Sequence, residues 1–101
     1  MTPLYPHQDI KALIAADPIV IFGKGEKSQP MCGFTAQVQT VFEDLGLDYK
    51  MVNILQDQNL RAEMKQFSQW PTFPQVYLNG EFIGGCDIVL EMQENNQFVV
   101  E

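Results

Sequence analysis

The sequence predicts an α/β fold: a four-stranded mixed sheet with helices on both faces. Three observations carry this expectation. Segments with the 3.6-residue apolar period of a helix alternate with short β-branched runs along the chain. One strand–helix–strand unit calls for parallel pairing through a right-handed crossover. Downstream, "PQVYLNGEFIGG" holds Asn79-Gly80, the strongest two-residue hairpin signal, and so adds two antiparallel strands.

Each element follows from its residues. Residues 3–16 read as a helix, with Thr2 as N-cap, Pro3 at the first helical position, and Ile10, Leu13 and Ile14 as the apolar side. "PIVIF" is a buried strand, and Gly23 and Gly25 then open a loop. From Gly33 to Leu45 the residues Phe34, Val38, Val41, Phe42 and Leu45 make a helix face, and Gly46 is its natural stop. "DYKMVNI" alternates as a strand. Residues 57–68 return to helical period with Leu60, Met64 and Phe67 inward and Arg61 and Lys65 together one step round. After the hairpin, "CDIVLEMQE" closes the order as a helix. This α-β-α-β-α-β-β-α arrangement is thioredoxin-like. Such a fold supports many chemistries, so function must be read from the site.

The 101 residues predict one domain, 1–101, and 46% apolar residues can supply its core. No apolar run approaches the roughly 18–20 residues that span a bilayer, and the N-terminus lacks the pattern of a signal peptide. No membrane is expected, and the expected location is cytoplasmic, or the interior of an organelle for a mature form. A net charge of −7 argues against nucleic acid as a partner, since binding to phosphates rests on Lys and Arg. Four of the six basic residues, Lys24, Lys27, Arg61 and Lys65, lie in two segments that could meet at one site for a small anion. Two distant cysteines and one histidine cannot supply four zinc ligands, so any metal needs donors from outside the chain.

Three stretches carry the chemistry. In "EKSQPMCGFTAQVQTVF", Cys32 stands at the head of a helix, whose unpaired N–H groups and partial positive charge favour thiolate over thiol. Lys24 and Lys27 would push the same way. A free cysteine is otherwise most often a small buried apolar residue, but the polar segment before Cys32 is unlike core. In "WPTFPQ" two prolines forbid a regular strand. Phe73, held extended before Pro74, would then leave its backbone N–H and C=O clear of the sheet for an added extended peptide. A plain turn into the hairpin is the alternative, and the Phe73–Pro74 bond could be cis or trans. In "GGCDI", backbone amides around Cys86 and Asp87 could hold a carboxylate, while the Asp87 side chain either takes an ammonium or caps the helix. Arg61 either grips a second carboxylate or is a solvated charge. Together these make a site for an extended peptide with a carboxylate at each end, one ammonium and a central thiol. Glutathione has that pattern.

Over nearly the whole chain, "GKGEKSQPMCGFTAQ", "WPTFPQVYLNGEFIGGCDI" and the element order resemble the monothiol glutaredoxins of the CGFS class. The resemblance implies that Lys24 and Arg61 contact the glycine end of glutathione, that the Phe73 backbone pairs with the cysteinyl part, and that Cys86 and Asp87 hold the γ-glutamyl end. It implies that Cys32 is both redox thiol and cluster ligand. A [2Fe–2S] cluster takes four thiolates, and Cys32 from two chains with two glutathione thiolates makes four. The implied role is a cluster-bridged homodimer that stores clusters or passes them to acceptor apoproteins. A glutathione-dependent thiol–disulfide oxidoreductase is the competing function, with Cys86 a candidate resolving thiol; an adaptor that only binds partners is a third. Where the family motif ends in serine this chain has Thr35, whose extra methyl is expected to crowd the ligand or cluster.

Overall fold

In the computed structural model the structure describes residues 7–95. The elements are α1 (His7–Ala15), β1 (Ile19–Gly23), β2 (Gly25–Glu26), β3 (Gln29–Pro30), α2 (Gly33–Asp44), β4 (Lys50–Asn53), a 3₁₀ turn (Ile54–Gln56), α3 (Gln58–Ser68), β5 (Gln75–Leu78), β6 (Glu81–Gly84) and α4 (Cys86–Glu94). Four strands form one mixed sheet in the order β4-β1-β5-β6. β1 runs parallel to β4, with Phe22 opposite Val52, and antiparallel to β5, with Phe22 opposite Gln75. The parallel pair is the crossover product of β1, α2 and β4.

β1 is buried along its whole length because its side chains alternate between two cores. Val20 and Phe22 pack with Ile10, Ile14, Leu60 and Met64 of α1 and α3 on one face. Ile19 and Ile21 pack with Val38, Val41, Phe42 and Val89 of α2 and α4 on the other. Each such side chain contributes about 1.5–3 kcal/mol of transfer free energy. The expected helices on both faces are present, and the fold is thioredoxin-like.

Turn chemistry sets the joints. Asn79 and Gly80 both have positive φ, 50° and 84°, as a tight hairpin between twisted strands requires. α2 ends with Gly46 left-handed, and the Gly46 and Leu47 N–H groups donate back to the Glu43 and Phe42 carbonyls at 3.1 and 2.9 Å. Asp57 caps α3 by accepting from Asn59 and Leu60 N–H at 3.0 and 3.1 Å.

Several expectations change. The predicted cap Thr2 and the first-turn Pro3 lie outside the described residues, within which α1 covers His7–Ala15. "DYKMVNI" pairs only over Lys50–Asn53, because the Asn53 side chain accepts from Leu55 N–H at 3.0 Å and starts the 3₁₀ turn. The loop expected after Gly25 is a short ribbon of β2 and β3, with Gly25 opposite Pro30. Finally, Phe34 and Leu45, assigned by period to the buried face of α2, are exposed. Phe34 stands in the first turn beside the fully buried Thr35, and Leu45 is the C-cap, beyond the last buried residue of the helix, Phe42.

Candidate functional site

Cys32 is the N-cap of α2, with extended backbone (φ −145°, ψ 134°) and no side-chain cap bond. The residue is half-buried, at a helix end whose first-turn N–H groups have no partner within the helix. The Thr35 backbone N–H holds the Cys32 thiol below the usual cysteine value, helped by Phe34 N–H, the Lys24 charge and the Thr35 hydroxyl, against a smaller upward push from burial.

The segment before Cys32 is tied down from both sides. Lys24 N–H donates to the Thr35 hydroxyl at 3.2 Å, and the Lys24 carbonyl accepts from Met31 N–H at 2.7 Å. Gly25 N–H donates to the Asn53 side chain at 3.0 Å. Lys27 is drawn away from the thiol: its Nζ donates to Asp48 at 2.9 Å and to the Tyr49 carbonyl at 2.7 Å, and lies 4.1 Å from the centre of the Tyr49 ring. Behind it, Gln39 Nε2 donates to the Lys27 carbonyl and to the Tyr49 hydroxyl, both at 2.9 Å, and that hydroxyl donates to Glu43 at 2.6 Å. Burial, then the Glu43 carboxylate, pushes the Tyr49 hydroxyl up to about 12.

One cleft of about 590 Å³ is lined by Lys24, Cys32, Arg61, Phe73, Cys86 and Asp87. All six candidate residues thus converge, although they come from five separate parts of the chain. The volume suits a small ligand. Lys24 follows β1 in the interior of the sheet and Asp87 follows the edge strand β6, so the cleft crosses strand ends and carries two cations and one carboxylate. Arg61 Nε is buried and has no hydrogen-bond partner among the described residues. Phe73 belongs to the core and also lines the cleft, and the Phe73–Pro74 bond is cis. Gly85, not Asp87, is the N-cap of α4, which leaves the exposed Asp87 carboxylate free for another role. A Cβ on Gly85 would stand 3.1 Å from the Pro74 carbonyl oxygen, so the loop and α4 meet there through glycine.

The structure separates the remaining basic residues: Lys27 and Lys65 do not line the cleft with Lys24 and Arg61. It also redirects Thr35. This residue is fully buried, a Cβ on Gly23 would lie 2.7 Å from its methyl, and it is not among the residues that line the cleft. Cys86 is 8% exposed and donates its S–H to Gln37 Oε1 at 3.2 Å. Burial, with the charges of Asp87 and Cys32, pushes its thiol up, so it is a poor nucleophile beside Cys32; both are free thiols. Among the described residues no group of three or more His, Cys, Asp or Glu could hold a metal. The cleft also recruits Phe34, Trp70, Thr72 and Ile88, which the sequence pattern assigns to no ligand contact. Of these, Trp70 and Thr72 were within reach, since both lie inside the stretch "WPTFPQ" singled out by its prolines.

The glutaredoxin family model matches residues 19–83, the span from β1 through β6. The chain is 46% identical over 88 residues to a probable monothiol glutaredoxin 2 of Rickettsia typhi, covering 87% of this chain and 79% of that one. It is 44% identical over 95 residues to the mitochondrial glutaredoxin-related protein 5 of Danio rerio, covering 93% and 61%. Among solved structures, reduced apo GrxS14 of poplar superposes with a TM-score of 0.80 at 38% identity, over 90% of this chain and 84% of that one. A buckwheat glutaredoxin–glutathione complex superposes at 0.79 with 29% identity, over 89% and 80%. A thiol at the head of α2 with no cysteine at position 35, on this sheet order and with these similarities, has one reading: the chain belongs to the glutaredoxin family, among its monothiol members.

Proposed function

We propose that the cleft binds glutathione and that Cys32, with that glutathione, ligates a [2Fe–2S] cluster shared with a second copy of the chain, for storage and delivery to acceptor apoproteins. The observation that carries this reading is the accessible, acidified Cys32 thiol in one cleft with Lys24, Arg61 and Asp87. The two cations suit carboxylates, Asp87 suits an ammonium, and the Phe73 backbone suits an extended peptide. Arg61 Nε, buried and without a partner among the described residues, supports an anionic ligand. The donor set supports sharing: a [2Fe–2S] cluster takes four thiolates, and one chain offers Cys32 alone, since the Cys86 thiol is buried and held protonated. Exposed Phe34, Trp70 and Ile88 along the cleft give a second protein an apolar surface to meet. The cluster supplies redox-active iron; the chain's residues supply one thiolate and the grip on glutathione. No helix among the described residues is long and apolar enough to cross a membrane. A cytoplasmic location is proposed with this reading, on the sequence alone.

Anaerobic reconstitution with iron, sulfide and glutathione tests the reading. The expected product is a coloured dimer that reverts to a colourless monomer when glutathione is withdrawn. Cys32→Ser is expected to yield neither colour nor dimer. A wild-type chain that stays colourless and monomeric would refute it.

The acidified thiol also favours a second reading, glutathione-dependent thiol–disulfide exchange. The Cys32 thiolate attacks the glutathione sulfur of a glutathionylated protein, forming Cys32–S–S–glutathione and releasing the protein thiolate. A second glutathione thiolate then forms oxidised glutathione and regenerates Cys32. Brisk turnover of such a mixed disulfide, with Cys86→Ala as active as wild type, would support it.

A further inference from the structure

Gln75 opens β5 opposite Phe22, and its polar side chain is fully buried. Its Nε2 donates to the Trp70 carbonyl at 3.0 Å and to the Thr72 carbonyl at 3.2 Å. Both partners only accept, so the amide must turn its NH₂ toward them. That leaves Oε1 buried and without a partner among the described residues. A buried unpaired acceptor destabilises, and leucine or methionine would fill this core position without that penalty. What the amide adds is a hold on the loop, whose residues Trp70, Pro71 and Thr72 form a wall of the cleft. With Pro71 and Pro74 in it, this loop has too few N–H groups to brace itself with a ladder.

The consequence falls on Phe73. In a trans peptide unit the C=O and the following N–H point in opposite directions. The only cis bond among the described residues is Phe73–Pro74, so the Thr72–Phe73 unit is trans. Drawing the Thr72 oxygen inward to Gln75 therefore turns the Phe73 N–H the opposite way, away from Gln75, and Phe73 is one of the residues that line the cleft. No hydrogen bond among the described residues engages that N–H. We infer that Gln75 is a positioning residue that aims the Phe73 N–H into the cleft and so sets how tightly an extended thiol peptide pairs there. The identity of that peptide as glutathione rests on the function proposed above; the aiming of the N–H does not.

Gln75→Met keeps length and burial but removes both donors. Glutathione affinity is read from the fluorescence of Trp70, the chain's single tryptophan, which lines the cleft. Backbone order is read from the ¹⁵N–¹H signal and heteronuclear NOE of Phe73 in the ligand-free protein. The expected result is an unchanged or raised Tm, a shifted and less ordered Phe73 amide, and glutathione binding weaker by about tenfold. The pH profile of Cys32 alkylation should stay put, which separates aiming from general damage to the site. An ordered Phe73 amide in the variant overturns the inference, as does a disordered one with undiminished binding. If wild-type Trp70 ignores glutathione, that ligand is refuted, and the Phe73 amide alone decides: lost order upholds the role of Gln75, unchanged order overturns it. Gln75→Asn, whose shorter amide reaches at most one carbonyl, answers the same question should Gln75→Met not fold.

Discussion

Thr35 and Gly23 fit each other: a Cβ built on Gly23 would lie 2.7 Å from the Thr35 methyl and 3.2 Å from its hydroxyl. The methyl that distinguishes this chain's motif fills space at the end of β1, where any residue but glycine would collide with it. Gly23→Ala is therefore expected to cost about 1–3 kcal/mol in the wild-type background. In the Thr35→Ser background the cost should fall, leaving the flexible end of Met51, also at 2.7 Å, and the retained hydroxyl at 3.2 Å to give way. Urea denaturation of the four proteins in a double-mutant cycle checks this; strict additivity would show that the two residues do not share the space.

The Thr35 hydroxyl accepts from Lys24 N–H and stabilises the Cys32 thiolate. Thr35→Val keeps the methyl and removes the hydroxyl. The midpoint of Cys32 alkylation against pH is expected below that of a free cysteine in wild type and to move up in Thr35→Val. Thr35→Ser should keep the wild-type midpoint. A midpoint unmoved by Thr35→Val would assign the whole effect to backbone N–H groups and Lys24.

The two thiols are expected to respond oppositely to pH and to reagent. Cys32 alkylates first, and Cys86 resists until the protein unfolds, because it is buried and its thiol is pushed up. Mass spectrometry of partly alkylated protein reads this directly. The signs for stability follow. The lowered Cys32 value favours folding above its unfolded value, and that contribution is lost as pH falls through the folded one. The raised Cys86 value favours folding below its unfolded value, and that contribution is lost as pH rises through the folded one.

Tyr49 ties the ribbon before Cys32 to α2 through Gln39 and Glu43. Tyr49→Phe is expected to cost about 1–2 kcal/mol, since Gln39 keeps its bond to the Lys27 carbonyl. In wild type, Tyr49 and Tyr77 are both pushed up to about 12, largely by burial. Their protonated forms are favoured in the folded state, so their contribution is complete below the ordinary tyrosine value of about 10 and is lost as pH rises through about 12. Tyrosinate absorbance should show these two ionising late, and in step with alkaline unfolding.

Arg61→Met preserves the packing of the stem and removes the guanidinium at the cleft, whose Nε is buried without a partner among the described residues. Glutathione binding is expected to weaken by about tenfold to a hundredfold, as for a lost charge-assisted hydrogen bond, with little change in Tm. Raising the salt concentration should weaken wild-type binding more than that of the variant. Equal affinities would remove Arg61 from the ligand site.

What the sequence by itself determined was local. The period of Val38, Val41 and Phe42, the β-branched run of β1 and the Asn79-Gly80 turn each state their own conformation, because backbone sterics and side-chain burial act over a few residues. Cys32 at a helix head was legible for the same reason: the N–H group that does most to acidify it, that of Thr35, belongs to its own helix. Only the tertiary structure decided which distant groups share a space. It sent Lys27 to Asp48 and Tyr49 and kept Lys24 and Arg61 at the cleft, although the charge pattern does not distinguish these residues. It turned Phe34 outward to the cleft and buried Thr35 beside it, because helical period tells which side chains align but not which of them the sheet meets. It turned the Thr35 methyl toward Gly23, and it buried Gln75 under the loop that the glutamine holds. Long flexible side chains and buried amides take their partners from whatever the packing brings within about 3 Å, and that is a property of the folded chain as a whole.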